Sequence, residues 1–235
     1  MKKRAIFILI ILLLLCIISM NFHINNRILG VLDNLQISLS SKKAVDAGTI
    51  NFAHDMDKDG LDDMDDIIQG AREEVLKHTR YHSAYYAGGY PPSGEGTCTD
   101  VIGRALLNAG YDLKQKVDMD ISKHTDLYFG VHGRADPNID FRRVANLQVF
   151  FRRHADMLTT KVMPWDSQNA RQWQRGDIVI FDKPFGHIAI ISDRRRRDGV
   201  PYIIHNCGPI ATEENLLQRW PSPIRYHFRY PKNCL

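Results

Sequence analysis

The apolar residues change their spacing about two thirds of the way along the chain, and this limits the possible folds more than any other feature of the sequence. In the earlier part they recur at helical spacing. Ile67, Ile68, Ala71, Val75 and Leu76 form one stripe, and Val101, Ile102, Ala105, Leu106 and Ala109 form a second. Thr97 is placed to cap the second helix and Gly110 to stop it, so a helix is predicted over 98–109. A third is predicted from Val144 to His154, with Leu147, Phe150 and Phe151 inward, while Tyr81 to Gly96, rich in Tyr, Gly and Pro, reads as loop. The later part has short β-branched runs instead: Asp177 to Phe181, His187 to Ser192, Tyr202 to His205 and Tyr226 to Tyr230. Helices followed by strands predict an α+β fold with N-terminal helices packed on a small antiparallel sheet.

Hydrophobic residues at 44% and charged residues at 25% of the 235-residue chain exclude a disordered or collagen-like protein, and four cysteines are too few for a disulfide scaffold. Lys2, Lys3, Arg4 and Arg27 account for the basic excess, which leaves the rest of the chain balanced against its 27 acids. Nucleic acid is therefore not the expected partner, because phosphate binding needs a sustained basic face. Lys2-Lys3-Arg4 precedes an uncharged run from Ala5 to Met20, the layout of a signal anchor or signal peptide over residues 1–24. Residues 25–50 then read as a linker, 51–66 as an acidic loop and 67–235 as the main domain. The expected location is the cell membrane with the domain outside the cytoplasm, or a secreted protein if the leader is cleaved.

The acidic loop, Asp55 to Asp66, has seven acids in twelve residues, with acids at positions 1, 3, 5, 9 and 12 and Gly60 at position 6. A hard cation of calcium's size wants six or more oxygens, and alternate side chains plus one carbonyl can wrap it where glycine permits the sharp turn. The predicted ligands are Asp55, Asp57, Asp59, the Leu61 carbonyl, Asp63 and Asp66. Asp66 stands where such loops usually carry Glu, and Asp62 where they carry an aliphatic residue. The pattern is similar to the single calcium loops of extracellular bacterial proteins, and weak binding follows, about 10⁻⁴ to 10⁻³ M. The scattered histidines lack zinc spacing, and no organic cofactor is implied.

Cys98 is the candidate nucleophile. A thiol at a helix N-terminus meets free N–H groups and the positive end of the helix dipole, and both favour thiolate. His187, at a strand start behind Gly186, is the candidate base. The strand from His187 runs to Asp193, the chain turns through Arg194 to Gly199, and Pro201 to Asn206 returns beside it. This brings His205 or Asn206 opposite His187 as the residue that fixes its tautomer. Trp165, Trp173 and Trp220 read as packing residues, with Trp173 a candidate for lining the cleft. Cys207 and Cys234 are a candidate disulfide pair.

Four separated blocks resemble a known group: Thr97-Cys98-Thr99-Asp100-Val101, Arg175 to Phe181, Gly186 to Asp193, and Tyr202-Ile203-Ile204-His205-Asn206. They look like the blocks of NlpC-type, papain-like cysteine peptidases, which cut peptide bonds in bacterial peptidoglycan. Tyr85 to Pro91, Pro137 to Val144 with Asn146-Leu147, and Ser192-Asp193-Arg194-Arg195 resemble the bacterial domain-of-unknown-function family 1287, placed beside those peptidases. The resemblance spans about residues 67–230. It implies a papain-like fold and an extracytoplasmic cysteine hydrolase that cleaves an amide in cell-wall peptides through Cys98, His187 and His205. A thiol-dependent acyl or peptidyl transferase and a non-catalytic wall-binding module are the alternatives. Asp100 departs from the glycine of ordinary NlpC-type enzymes, and there it would either raise the thiol pKa or cap the helix. The Cys98 amide is one candidate oxyanion donor and Tyr85 or Tyr86 a second. Arg142 and Arg143 are candidates for clamping a substrate carboxylate.

Overall fold

The computed structural model describes residues 29–232 apart from 33, 53 and 132. The leader over 1–24 lies outside the described residues, as does Cys234 of the disulfide expectation. No described helix is long and apolar enough to cross a membrane. The chain divides into two units, Met1–Lys43 and Ala44–Leu235. In the first, helix α1 covers residues 29–38, residue 33 aside. The second starts earlier than the expected linker boundary at residue 50, because residues 44–50 are part of it. The Val45 amide donates to the Arg197 carbonyl at 2.8 Å, Ala47 is buried, and the Ile50 amide donates to Gln174 Oε1 at 3.2 Å.

The second unit is α+β with a small antiparallel sheet. Its main helices are α2 (Asp63–Leu76), α3 (Cys98–Asn108), α4 (Leu113–Lys123), α5 (Val144–His154) and the short α6 (Ser167–Gln172). Strands β1 (Arg80–Tyr81) and β2 (Glu95–Gly96) form a small parallel pair within the loop that leads to α3. The main sheet joins β3 (Asp156–Met157), β4 (Ile178–Phe181), β5 (His187–Arg195), β6 (Pro201–His205), β7 (Thr212–Glu214) and β8 (Ile224–Arg229) in the order β3-β8-β4-β5-β6-β7. Helix α4 was missing from the sequence expectation. Leu113, Val117 and Ile121 are its buried apolar residues, a stripe too narrow to stand out among its polar neighbours.

The two-residue period of the strands divides the core. Ile178, Ile180, Ile188, Ile190, Ile204 and Phe228 face the helices. Val179, Phe181, Ala189, Ile191 and Ile203 face the other way and pack with Trp173, Leu216 and Leu217. Asp177, just before β4, is fully buried and holds β8 through two bonds to Arg229 (2.7 and 2.8 Å) and one to His227 (2.9 Å). Trp173 is also buried and stacks on His227 with ring centroids 3.8 Å apart, so it is a core residue and not a cleft wall.

Helices α2 and α3 cross in close contact at Gly70. A Cβ there would lie 2.6 Å from the Asn108 Cβ and 3.0 Å from the Ala105 Cα. Alanine raises helix propensity by about 1 kcal/mol over glycine. Gly70→Ala should nonetheless destabilise the protein by about 1–3 kcal/mol, because the backbone of α3 cannot yield as a flexible side chain would. The midpoint of urea unfolding reads this, and an unchanged or higher midpoint would show that the helices can separate at no cost.

Candidate active site

Cys98 is the first residue of α3, and the turn before it is built around Asp100. The Asp100 carboxylate accepts from the Thr97 amide at 2.6 Å and from the Thr97 hydroxyl at 3.0 Å, which secures the helix start. Only glycine fits at position 96, where a Cβ would stand 2.8 Å from the Asp100 Cβ. Asp100 is buried and paired with the buried Arg142, Nε to Oδ1 at 2.7 Å and Nη2 to Oδ2 at 2.9 Å. The remaining guanidinium nitrogen donates to the Ala84 carbonyl at 2.8 Å.

The environment of the Cys98 sulfur works in both directions. Burial is the larger influence and pushes the thiol up to about 11. The Ile188 amide opposes it, Asp100 adds to it, and the Thr99 and Cys98 amides oppose it. Of the three amides that favour thiolate, that of Ile188 belongs to the residue after His187. The backbone at the start of β5 thus lies beside Cys98.

His187 is buried, and its Nε2 lies 2.9 Å from His205 Nδ1, with the rings at 84°. The hairpin register makes this pair. Ile190 stands opposite Ile204 and Ile191 opposite Ile203, so one further step puts His205 opposite Ala189. His205 is then the diagonal neighbour of His187 on the same face. Trp220 stacks on His187 with centroids 4.2 Å apart and planes at 13°, and its Nε1–H donates to the Phe185 carbonyl at 2.8 Å. Burial, followed by repulsion from His205, holds the His187 pKa well below its ordinary value. If His187 Nε2–H donates to His205, Nδ1 of His187 carries a lone pair and can take a proton.

Of the two candidate orienting residues, His205 occupies the position and Asn206 has a different task. The Asn206 amide donates to the Thr79 carbonyl at 3.1 Å and the Gly96 carbonyl at 3.2 Å, which ties the β1–β2 loop down beside Cys98. Trp220 and Tyr81 had no functional reading in the sequence. Tyr81 has its hydroxyl pKa raised by burial and then by the nearby Cys98 and Cys207 sulfurs.

Arg142 does not fit the expected role of carboxylate clamp, because Asp100 and the Ala84 carbonyl engage its guanidinium. Arg143 is half committed, bonding the Gly130 carbonyl and Asp140, yet it lines an open pocket of about 540 Å³ with Tyr85, Val131, Arg134 and Asp136. The Tyr85 hydroxyl lies at the Asp136 carboxylate, 3.2 Å away, and accepts from Asn138 at 2.8 Å. Tyr86 bonds His82 at 3.0 Å and lies under the Arg142 guanidinium, a packing role. Asp55, Asp57, Asp59, Leu61, Asp63 and Asp66 form a separate group around the start of α2.

Two titrations follow from this geometry. Alkylation of Cys98 by iodoacetamide, followed on its own peptide by mass spectrometry, should accelerate roughly tenfold per pH unit from 7 to 10. A plateau by pH 8 would contradict the raised thiol. For His187 the unfolded chain takes up a proton near pH 6.5 while the folded chain does so only at much lower pH. The unfolded state binds more protons in that window, so stability is present above pH 6.5 and is lost as pH falls below it. Urea unfolding at pH 7, 6 and 5 should therefore slope more steeply for the wild type than for His187→Gln, by up to about 1.4 kcal/mol per pH unit. Equal slopes would count against the depressed histidine.

The family described as Domain of unknown function (DUF1287) matches residues 68–230. The chain is 38% identical over 172 residues to Uncharacterized protein YijF of Escherichia coli (strain K12), covering 70% of this chain and 80% of that relative. No solved structure matches. The span of the family match and the identity to this relative show that the chain belongs to the DUF1287 family.

Proposed function

We propose that this chain is a papain-like cysteine hydrolase of NlpC type that cleaves an amide bond in cell-wall peptidoglycan peptides outside the cytoplasm. The observation that carries the proposal is the His187–His205 hydrogen bond at the start of a strand whose next residue, Ile188, has its amide close enough to the Cys98 sulfur to favour thiolate. The resemblance of the Cys98, His187 and His205 blocks to NlpC-type peptidases supplies the substrate class. In this reading the segment over 1–24 anchors the domain at the membrane.

The thiol is raised and the imidazole lowered, so both are neutral at rest and no standing thiolate-imidazolium pair forms. His187 Nδ1 takes the thiol proton as sulfur attacks the amide carbonyl. The Cys98 backbone N–H and the Tyr81 hydroxyl serve the developing oxyanion. Collapse breaks the C–N bond, the amine leaves with the proton from His187, and a thioester to Cys98 remains. Water then attacks the thioester with His187 again accepting the proton, which yields a carboxylic acid and the free thiol. His205 keeps its acceptor nitrogen toward His187 Nε2–H throughout, and Trp220 screens the imidazole from water. An amine in place of water would make the same intermediate a transferase.

The test is mass spectrometry of purified peptidoglycan incubated with the full chain, as wild type, Cys98→Ser and His187→Ala. New fragments from the wild type, falling by roughly a thousandfold or more in both variants, are expected. The masses identify the bond, and an added amine appearing in the product would indicate transfer. Intact peptidoglycan with all three folded proteins, together with tight binding to it, would replace the hydrolase by a wall-binding module.

A further inference from the structure

The segment before α2 places three exposed carboxylates together. One oxygen each from Asp55, Asp57 and Asp59 lies within 4.8 Å of the others. The loop's own amides keep them turned inward: Asp59 N–H and Gly60 N–H donate to Asp55 at 3.2 and 3.0 Å, and Leu61 N–H to Asp59 at 2.8 Å. The sharp turn falls at Gly60, with φ +97°. Exposed acids in such a group would be unremarkable alone.

Asp66 makes the difference. It lies in the first turn of α2, only 2% exposed, and its Oδ2 is buried with no hydrogen-bond partner among the described residues. A buried carboxylate oxygen without a partner costs several kcal/mol unless something neutralises it. Asp59, Asp57, Asp63 and Asp55 are the charged groups that act on it, so the partnerless oxygen lies beside the loop that carries the three exposed carboxylates.

We propose that Asp55, Asp57, Asp59 and Asp66, with the Leu61 carbonyl, bind one calcium ion that clamps the start of α2. Carboxylate and carbonyl oxygens alone make a hard-cation site. Asp63, the other expected ligand, is tied on both oxygens, one accepting from the Met56 amide at 2.7 Å and the other from the Tyr111 hydroxyl, which fixes the loop against α2. The neighbouring acids are already paired: Asp62 caps α2 through the Met64 and Asp65 amides, and Arg175 bonds both Asp62 and Asp65. The site also touches the far end of α3, where a Cβ on Gly110 would stand 3.3 Å from the Asp57 Cβ. Cys98 is twelve residues from Gly110, at the other end of the eleven-residue α3, about 16 Å away. The ion therefore stabilises the helix pair and takes no part in the reaction.

The experiment measures thermal unfolding and calorimetric titration of the full-length chain, stripped by chelator and titrated with calcium or magnesium up to 10 mM. Calcium should raise the midpoint with a dissociation constant of about 10⁻⁴ to 10⁻³ M. Asp57→Asn should weaken it at least tenfold. Asp66→Asn should abolish the calcium shift yet raise the melting point of the calcium-free protein, because it removes a buried, repelled charge. Asp126→Asn, an exposed acid elsewhere, and Cys98→Ser should retain the full shift, which separates this inference from the hydrolase reading. No calcium response in the wild type, an equal response to magnesium, or an unaltered response in Asp57→Asn and Asp66→Asn would overturn the site.

Discussion

The buried pair of Asp100 and Arg142 is the contact on which the candidate site depends. A carboxylate in that interior needs a partner, and Arg142 meets it with two hydrogen bonds while its third nitrogen reaches the Ala84 carbonyl. One end of the pair fixes the start of α3 through Thr97. The other holds the long loop that carries Tyr81 and returns to Gly96. The residue that departs from the NlpC-type pattern is thus the one that organises the turn before the candidate nucleophile. It also makes the thiol harder to ionise, so the same carboxylate that orders the turn opposes the charge on the sulfur.

Much of the fold was legible because its signals were local. The stripe from Val101 to Leu106 and the Thr97 and Gly110 signals define α3, and Val144–His154 is helical as read. The four β-branched runs each became a strand. Weak or distant signals were lost. β7 is three residues long with no apolar residue, β3 is two residues, and neither carries a period of its own. The β3–β8 pairing joins residues about seventy positions apart, which no local pattern specifies.

The site was legible to the extent that hairpin geometry is local. Counting along β5 and β6 led to His205 or Asn206, and the choice between them needed the bulge between Ile191 and Arg195, which sets the register. Trp220 and Tyr81 carried no functional signal, because an isolated tryptophan reads as packing and Tyr81 opens a stretch that reads as loop. Arg142 was misread for a related reason. Its position in an Asp-x-Arg-Arg cluster suggested a substrate clamp, whereas its partner lies forty-two residues earlier. Charge in a sequence does not reveal whether the structure has already neutralised it.

The strand order has a bearing on when the protein becomes complete. β8 is the last strand in the chain, yet it lies inside the sheet between β3 and β4. Cys98, by contrast, emerges more than a hundred residues earlier. A growing chain therefore carries its thiol for a long interval with the sheet still open along one strand position, and contacts of such wide separation form slowly. Only when residues 224–229 insert, and Asp177 meets Arg229, does the strand platform beneath His187 and His205 close. The arrangement works as a built-in delay, since Cys98 precedes the finished framework by more than half the length of the molecule.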